Sequence, residues 1–300
     1  MKYKIVLFGV KTETYTIYQK FKDKIDLVVT LNSDEKKKYH ISGGFKITNF
    51  VNECFETDDY KLSSKLCEHF FQNNKFEIGI VIGWQRLIPQ KVLNNFNFGI
   101  FGFHGSPLGL PFGKGRSPVN WSIILGYKQV YNHCFQYNSK ADDGLIYSTT
   151  KLEIFPWDDI GSMKKKSLID FENTIDKLIA DYQNDTLVLE NQDRKKRESF
   201  FPKRNPKDGK INILEDSTEL IHNLIRGVSK PFPGAFLNFN DEKCIIWQAQ
   251  PFSAELYKDK KIGEITKVFS DDSFVIKTID STLLVTEYEN IKVSKGMILS

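Results

Sequence analysis

The chain has 300 residues, 40% of them hydrophobic and 27% charged, with a formal net charge of +4. This is ordinary globular composition that should fold unaided, and no apolar run approaches the ~20 residues of a membrane span. Lys and Arg are interspersed with nearly as many Asp and Glu, so no basic tail or stripe suits non-specific nucleic-acid binding. Beyond roughly 250 residues a single core tends to split, which makes two domains the starting expectation. Cys54, Cys67, Cys134 and Cys244 are widely spaced and form no CxxC pair, so they read as reduced, buried thiols and not as a metal site. The sequence opens directly on an apolar strand, MKYKIVLFGV, with no leader-like n-region, and the expectation is a soluble, cytoplasmic protein.

In chain order, Lys4–Val10 reads as a buried strand ending at a glycine, and Thr12–Phe21 follows with helical spacing. Asp26–Thr30 is a second apolar strand, Lys61–Gln72 an amphipathic helix and Glu77–Ile82 another buried strand. Phe98–His104 is the next strand and Pro118–Leu125 a helix with Pro near its start. Phe135–Tyr137 and Gly144–Ile154 alternate like strands, and Asp170–Tyr182 is helical. This alternation predicts an α/β fold: a Rossmann-like, mostly parallel sheet with helices on both faces.

Composition changes at Asn191–Lys210, a charged stretch broken by two prolines and a glycine. The expected layout is a catalytic domain over 1–191, a linker over 192–208 and a small β-rich, OB-like domain over 209–300. Within the last, Ser217–Val228 reads as a helix, and Ala235–Asn238, Lys243–Gln248, Gly263–Phe269, Ser273–Thr278 and Thr282–Glu289 read as strands. The Lys164–Lys166 run reads as a solvated helix flank.

Chemistry concentrates in 99–121, GIFGFHGSPLGLPFGKGRSPVNW, where a histidine at the carboxyl end of a buried strand precedes a Gly- and Pro-rich loop. Ligands of open α/β sheets bind at that edge. Gly102, Gly105, Gly109, Gly113 and Gly115 admit close backbone approach, and Lys114 and Arg116 add two cations. Taken singly, His104 reads equally as a satisfied strand-end histidine, and Asp142 or Asp143 as a turn former. If the 139–144 loop lies beside His104, however, a carboxylate can orient the imidazole and raise its basicity. The Trp84–Pro89 segment follows the strand over Glu77–Ile82 and mixes aromatic, polar and apolar groups as a planar heterocycle requires.

These segments together resemble the folate-dependent formyltransferase family, over nearly the whole chain. The family pattern N-x-H-x-S-x-L-P corresponds to the segment from Gly102 through His104 and Ser106 to Leu110-Pro111. An R-G-x-x-P-x-x-W-like stretch corresponds to Lys114–Trp121, the D-x-G turn to Asp142-Asp143-Gly144, and the pterin-contacting loop to Trp84–Pro89. Phe200–Ile211 is similar to the family's linker, and Ile225-Arg226 with Lys230–Phe236 to the start of its C-terminal domain.

The resemblance implies formyl transfer from N10-formyltetrahydrofolate, without a metal, to the amine of a nucleotide-linked amino sugar in surface-polysaccharide synthesis. It implies His104 as proton shuttle and Asp142 as its orienter. Trp84, Gln85, Arg86, Leu87, Ile88, Asp142, Asp143 and Gly144 would meet the folate. Gly102, Ser106, Lys114, Arg116, Arg226 and Phe232 would meet the sugar nucleotide, the cations at its pyrophosphate. A methionyl-tRNA formyltransferase is the competing reading, disfavoured by the mixed surface charge; a non-catalytic ligand-binding homologue is another. The chain departs from the family where its active-site Asn is replaced by Gly102, a change also associated with the similar pseudaminic-acid branch. In the family that Asn stabilises the formyl oxyanion, a contribution of ~3 kcal/mol. Backbone N–H, protonated His104 or a water in the room left by glycine are the expected substitutes. Nucleic acid and membrane are not expected partners, and a homodimer is left open.

Overall fold

Strand β1 (Ile5–Phe8) is buried at all four positions, with Val6 and Phe8 in one core cluster and Ile5 and Leu7 in another. An uninterrupted apolar run of this kind needs cover on both faces of its sheet. Helix α1 (Thr12–Phe21) supplies part of it, burying Thr14, Ile17, Tyr18 and Phe21 at three- and four-residue spacing. The structure is a computed structural model that describes residues 3–38, 47–240 and 242–300.

β2 (Leu27–Leu31), α2 (Ser33–Lys38), β3 (Cys54–Thr57), α3 (Lys65–Gln72), β4 (Phe76–Val81), α4 (Gln90–Leu93) and β5 (Phe96–Ser106) follow. Then come β6 (Lys114–Gly115), α5 (Pro118–Ile124), β7 (Gln129–Gln136), β8 (Ile146–Glu153) and α6 (Ile160–Gln183). The seven-stranded sheet has the order β3-β2-β1-β4-β5-β7-β8. Its first five strands pair in parallel, and β7 is antiparallel to β5. The expected mostly parallel sheet is therefore present.

Besides short elements that the sequence reading did not contain, such as α2, α4 and β6, and the start of α3 at Lys65 in place of Lys61, three differences have a plain physical reason. β3 was not expected, because its four residues carry no apolar alternation: Cys54 and Phe55 are partly buried, Glu56 is exposed and the buried fourth position is the polar Thr57. β7 begins at Gln129, before the expected Phe135, because polar residues hide its first half: Asn132 and His133 are buried yet hydrogen-bonded, Asn132 to Asp170 and His133 to Thr149. α6 starts ten residues before Asp170 and carries the Lys164–Lys166 run within it, with Ile160 and Met163 buried on the other side.

The C-terminal part holds β9 (Phe200–Phe201), α7 (Thr218–Gly227), β10 (Ala235–Phe239), β11 (Glu242–Pro251), β12 (Ile265–Val268), β13 (Phe274–Lys277) and β14 (Thr282–Glu289). The last five form an antiparallel sheet ordered β10-β11-β14-β13-β12. Its two ends are joined by the end of the chain: Leu299 N donates to Gly263 O beside β12, and Ser300 and Asn238 of β10 exchange backbone hydrogen bonds. The β-rich C-terminal fold expected here is thus present, packed around Ile225, Leu237, Ile246 and Phe274.

By residue contacts the chain divides into two compact units. One comprises the residues up to Lys114, Tyr131–Thr150 and Ser167–Ser199; the other comprises Gly115–Val130, Lys151–Lys166 and Phe200–Ser300. Among the described residues no helix is long and apolar enough to cross a membrane.

Candidate active site

The long strand β5 places His104. Val81, the last residue of β4, pairs with Gly102, so His104 lies two residues beyond the end of its parallel neighbour. That is the open carboxyl edge of the sheet. The imidazole is buried, with Nε2 2.8 Å from the carbonyl oxygen of Gly113 and Nδ1 3.4 Å from Asp142 Oδ1. Both ring nitrogens therefore face oxygen acceptors, and a proton on either one has a partner.

Asp142 reaches this position by a turned-back loop. Because β7 runs antiparallel to β5, the chain leaves it level with Ile100, where Tyr137 N donates to Ile100 O at 2.7 Å. Asp142 then adopts a left-handed backbone (φ 51°), a conformation that Asp tolerates better than most residues. The sequence places Asp142 in a turn, but only the structure brings it to His104.

The loop after β5 is held from within. Ser106 Oγ donates to Phe112 O at 2.6 Å, Leu110 N donates to His133 Nε2 at 3.1 Å and Gly113 N donates to Ser199 Oγ at 2.9 Å. Ser106 is fully buried, its hydroxyl closing this loop. Lys114 is buried too, its Nζ 2.7 Å from Asp143 Oδ1 and 2.6 Å from Glu198 Oε1. Burial opposes its charge, but the two carboxylates win and raise its pKa. The hydrogen bond from Lys114 in turn holds the Asp143 carboxyl below its usual range. Lys114 thus ties the loop after β5 to the Asp142-Asp143-Gly144 turn. Gln192 Nε2 adds bonds to the carbonyls of Asp142 and Gly144.

At the end of β4, Trp84 is buried edge-on against Tyr60, with ring centroids 4.9 Å apart, and its indole Nε1 is buried with no hydrogen-bond partner. Gln85 N donates to Tyr60 Oη at 2.9 Å, and the Arg86 guanidinium lies 5.0 Å from the same ring's centroid. Ile88 is buried, whereas Gln85 and Leu87 are exposed. The loop is anchored by Trp84 and Ile88 and shows a polar and an apolar side chain to solvent.

Arg116, Arg226 and Phe232 belong to the second unit. Arg226 is buried and spends its guanidinium on the carbonyls of Phe155 and Asp158 and on Asn223 Oδ1. Phe232 lines a cavity of about 110 Å³ with Asn120, Arg204 and Val228. Among the described residues no cluster of three His, Cys, Asp or Glu could hold a metal ion. All four cysteines are free, Cys54 being only partly buried.

Two neighbours of His104 escaped the sequence reading. His133 pairs with it across the strands. Tyr137 overlies Gly102: a Cβ built on residue 102 would lie 2.3 Å from Tyr137 Oη and 2.4 Å from its Cε1. The room for water expected at Gly102 is therefore taken by an aromatic ring. A tyrosine at a strand end reads as core in a sequence; the diagonal cross-strand contact that makes it a neighbour of Gly102 follows only from register.

Two family models match this chain, "Formyl transferase" over residues 3–177 and "Formyl transferase, C-terminal domain" over residues 203–295. The bifunctional polymyxin resistance protein ArnA of Wigglesworthia glossinidia brevipalpis is 33% identical over 179 residues, which are 58% of this chain and 26% of that protein. The chain thus matches about a quarter of that curated relative's length. HypX from Aquifex aeolicus, solved in complex with tetrahydrofolic acid, shares the fold with a TM-score of 0.68 at 14% identity, over 96% of this chain and 44% of that one. An N-formyltransferase from Helicobacter canadensis, solved with folinic acid and dTDP-3-aminofucose, superposes with a TM-score of 0.64 at 17% identity, over 94% and 98% of the two chains. With one model covering more than half of its residues and the other most of the remainder, the chain belongs to the formyl transferase family.

Proposed function

We propose that this protein transfers a formyl group from N10-formyltetrahydrofolate to the amino group of a nucleotide-linked amino sugar, in the cytoplasm, for surface-polysaccharide synthesis. The observation that carries the reading is the His104–Asp142 pair at the carboxyl edge of the sheet, in a chain of this family. The folded relatives solved with a folate, and in one case with a dTDP-amino sugar, support it.

The folate supplies an activated formyl carbon. Transfer needs an uncharged amine aimed at that carbon and a group that moves the amine's proton to the leaving nitrogen. His104 is that group: Asp142 holds Nδ1, and Nε2 gives up its bond to Gly113 O when it faces the substrates. The heterocycle meets the loop where Leu87 and Gln85 are exposed, with Arg86, Trp84 and Ile88 behind them, and the Asp142-Asp143-Gly144 turn alongside His104. The buried, unpartnered Nε1 of Trp84 fits a site that a polar ligand completes. Lys114 and Arg226, two of the cations expected to meet the pyrophosphate, are both bonded within the fold.

The test is formylation assayed with N10-formyltetrahydrofolate against a panel of UDP- and dTDP-linked amino sugars, with methionyl-tRNA as a parallel acceptor. Turnover of at least one sugar nucleotide, and not of the tRNA, is expected. A protein that formylates only the tRNA, or that binds sugar nucleotides without turning them over, overturns the reading.

A further inference from the structure

Formyl transfer concentrates negative charge on the formyl oxygen, and a donor aimed at that oxygen is worth more than any other single contact in such a site. We infer that the Tyr137 hydroxyl is this donor, standing where a side chain on residue 102 would otherwise stand; the inference rests on the formyl-transfer reading above. Four observations carry it. A Cβ on residue 102 would meet Tyr137 Oη at 2.3 Å, so glycine and tyrosine form one device in which the first makes room for the second. Residues 102 and 104 lie on the same face of β5, roughly 7 Å apart, so the hydroxyl that overlies residue 102 is on the face of the strand that carries His104. Among the described residues no hydrogen bond of the protein engages Tyr137 Oη, and the residue is only partly buried, so the hydroxyl is open to a substrate oxygen. Finally, burial and then the charge of Asp142 push the phenol above its ordinary pKa, which keeps it a proton-bearing donor.

The electron count closes without a further reagent. The amine nitrogen attacks the formyl carbon and forms a C–N bond, while the C=O π pair moves to oxygen and is held by the Tyr137 O–H, which keeps its proton. Return of that pair breaks the bond from carbon to the folate nitrogen. His104 takes the proton from the attacking amine and delivers it to that leaving nitrogen. Asp142, beside both the imidazole and the phenol, orients the first and prevents ionisation of the second.

Tyr137→Phe is the direct test, since it removes one oxygen and retains the ring over Gly102. In the full chain, kcat for the accepted amine is expected to fall about 100-fold, with KM for both substrates and the thermal midpoint within error of the parent. A reciprocal swap distinguishes donation from packing: Gly102→Asn with Tyr137→Ala moves a donor to the same place from the other strand and is expected to exceed Tyr137→Ala at least tenfold in kcat. Tyr137→Phe with kcat within twofold of the parent overturns the inference. A parent that formylates a different amine leaves the Tyr137 effect intact and overturns only the sugar assignment. A parent that consumes no formyl donor with any amine overturns both.

Discussion

His104 and His133 face one another on adjacent antiparallel strands, at 7% and 6% exposure, yet the structure gives them opposite work. His133 accepts from Leu110 N at Nε2, so its proton sits on Nδ1 and is donated to Thr149 Oγ1 at 2.8 Å. A second ring proton would oppose the Leu110 N–H. Burial, then the neighbouring His104 and Lys196, pushes the His133 pKa down to about 4. His104 meets acceptors at both nitrogens instead. With burial nearly equal, the kind of partner separates a structural imidazole from one able to carry a proton between substrates.

Removing the shuttle is the widest way to separate the two. His104→Asn should lower kcat by about 10³-fold or more while leaving the KM values near those of the parent, because the proton path goes and the binding contacts remain. Initial-rate measurements at saturating donor check this; near-parent kcat would show that another group shuttles the proton. Asp142→Asn should follow with a loss of about 10²-fold, since the imidazole stays but is held less often in the useful tautomer. Gly102→Asn alone, with Tyr137 still in place, should be harmful, because the new Cβ collides with the phenol.

His133 should show its effect in stability and not in turnover. Its pKa is lowered on folding, so the unfolded chain binds the extra proton first; the contribution is complete above the unfolded value of 6.5 and is lost as pH falls toward about 4. The loss amounts to about 3 kcal/mol over that window, at 1.36 kcal/mol per unit. His222, also lowered to about 4 by burial, acts in the same direction. Urea unfolding at pH 7 and pH 5 should show a smaller acid loss in His133→Gln than in the parent, and a parent whose stability is flat across this range would refute the neutral His133.

Much of this was legible beforehand because apolar periodicity survives in helix and strand alike: Thr12–Phe21 and Thr282–Glu289 stand where spacing puts them. His104, which taken singly reads equally as a satisfied strand-end histidine, was legible through its neighbours: the glycine-rich loop that follows it and the carboxylates of the 139–144 turn. His133 was not, since Gln129–Gln136 buries polar side chains that satisfy one another, and pairing of that kind leaves no trace in a periodic pattern. Nor was Tyr137, whose neighbour is set by strand register and not by separation along the chain. Lys114 looked like an exposed loop cation beside Arg116, and only the fold supplies the two carboxylates that enclose it.

That enclosure gives the smallest expected effect. Lys114 joins the loop that follows His104 to the turn that carries Asp142, so Lys114→Met asks whether the two sides of the imidazole need this tie. Asp143 and Glu198 are 37% and 54% exposed and can rehydrate once the ammonium is gone, so screening limits the loss to about 1–2 kcal/mol, below that of a fully enclosed pair. The sign follows from the two shifts. Asp143 is lowered, so its share is present above the unfolded 3.8 and fades as pH falls below it; Lys114 is raised, so its share is present below 10.5 and fades as pH rises beyond it. The difference in stability between parent and variant should therefore be level from about pH 5 to pH 10 and narrow at both ends. Turnover should stay within about threefold, because Gln192 still holds the carbonyls of Asp142 and Gly144. A variant of unchanged stability that binds the sugar nucleotide tenfold more weakly would instead return Lys114 to the substrate, with its two carboxylates acting as a cradle released on binding.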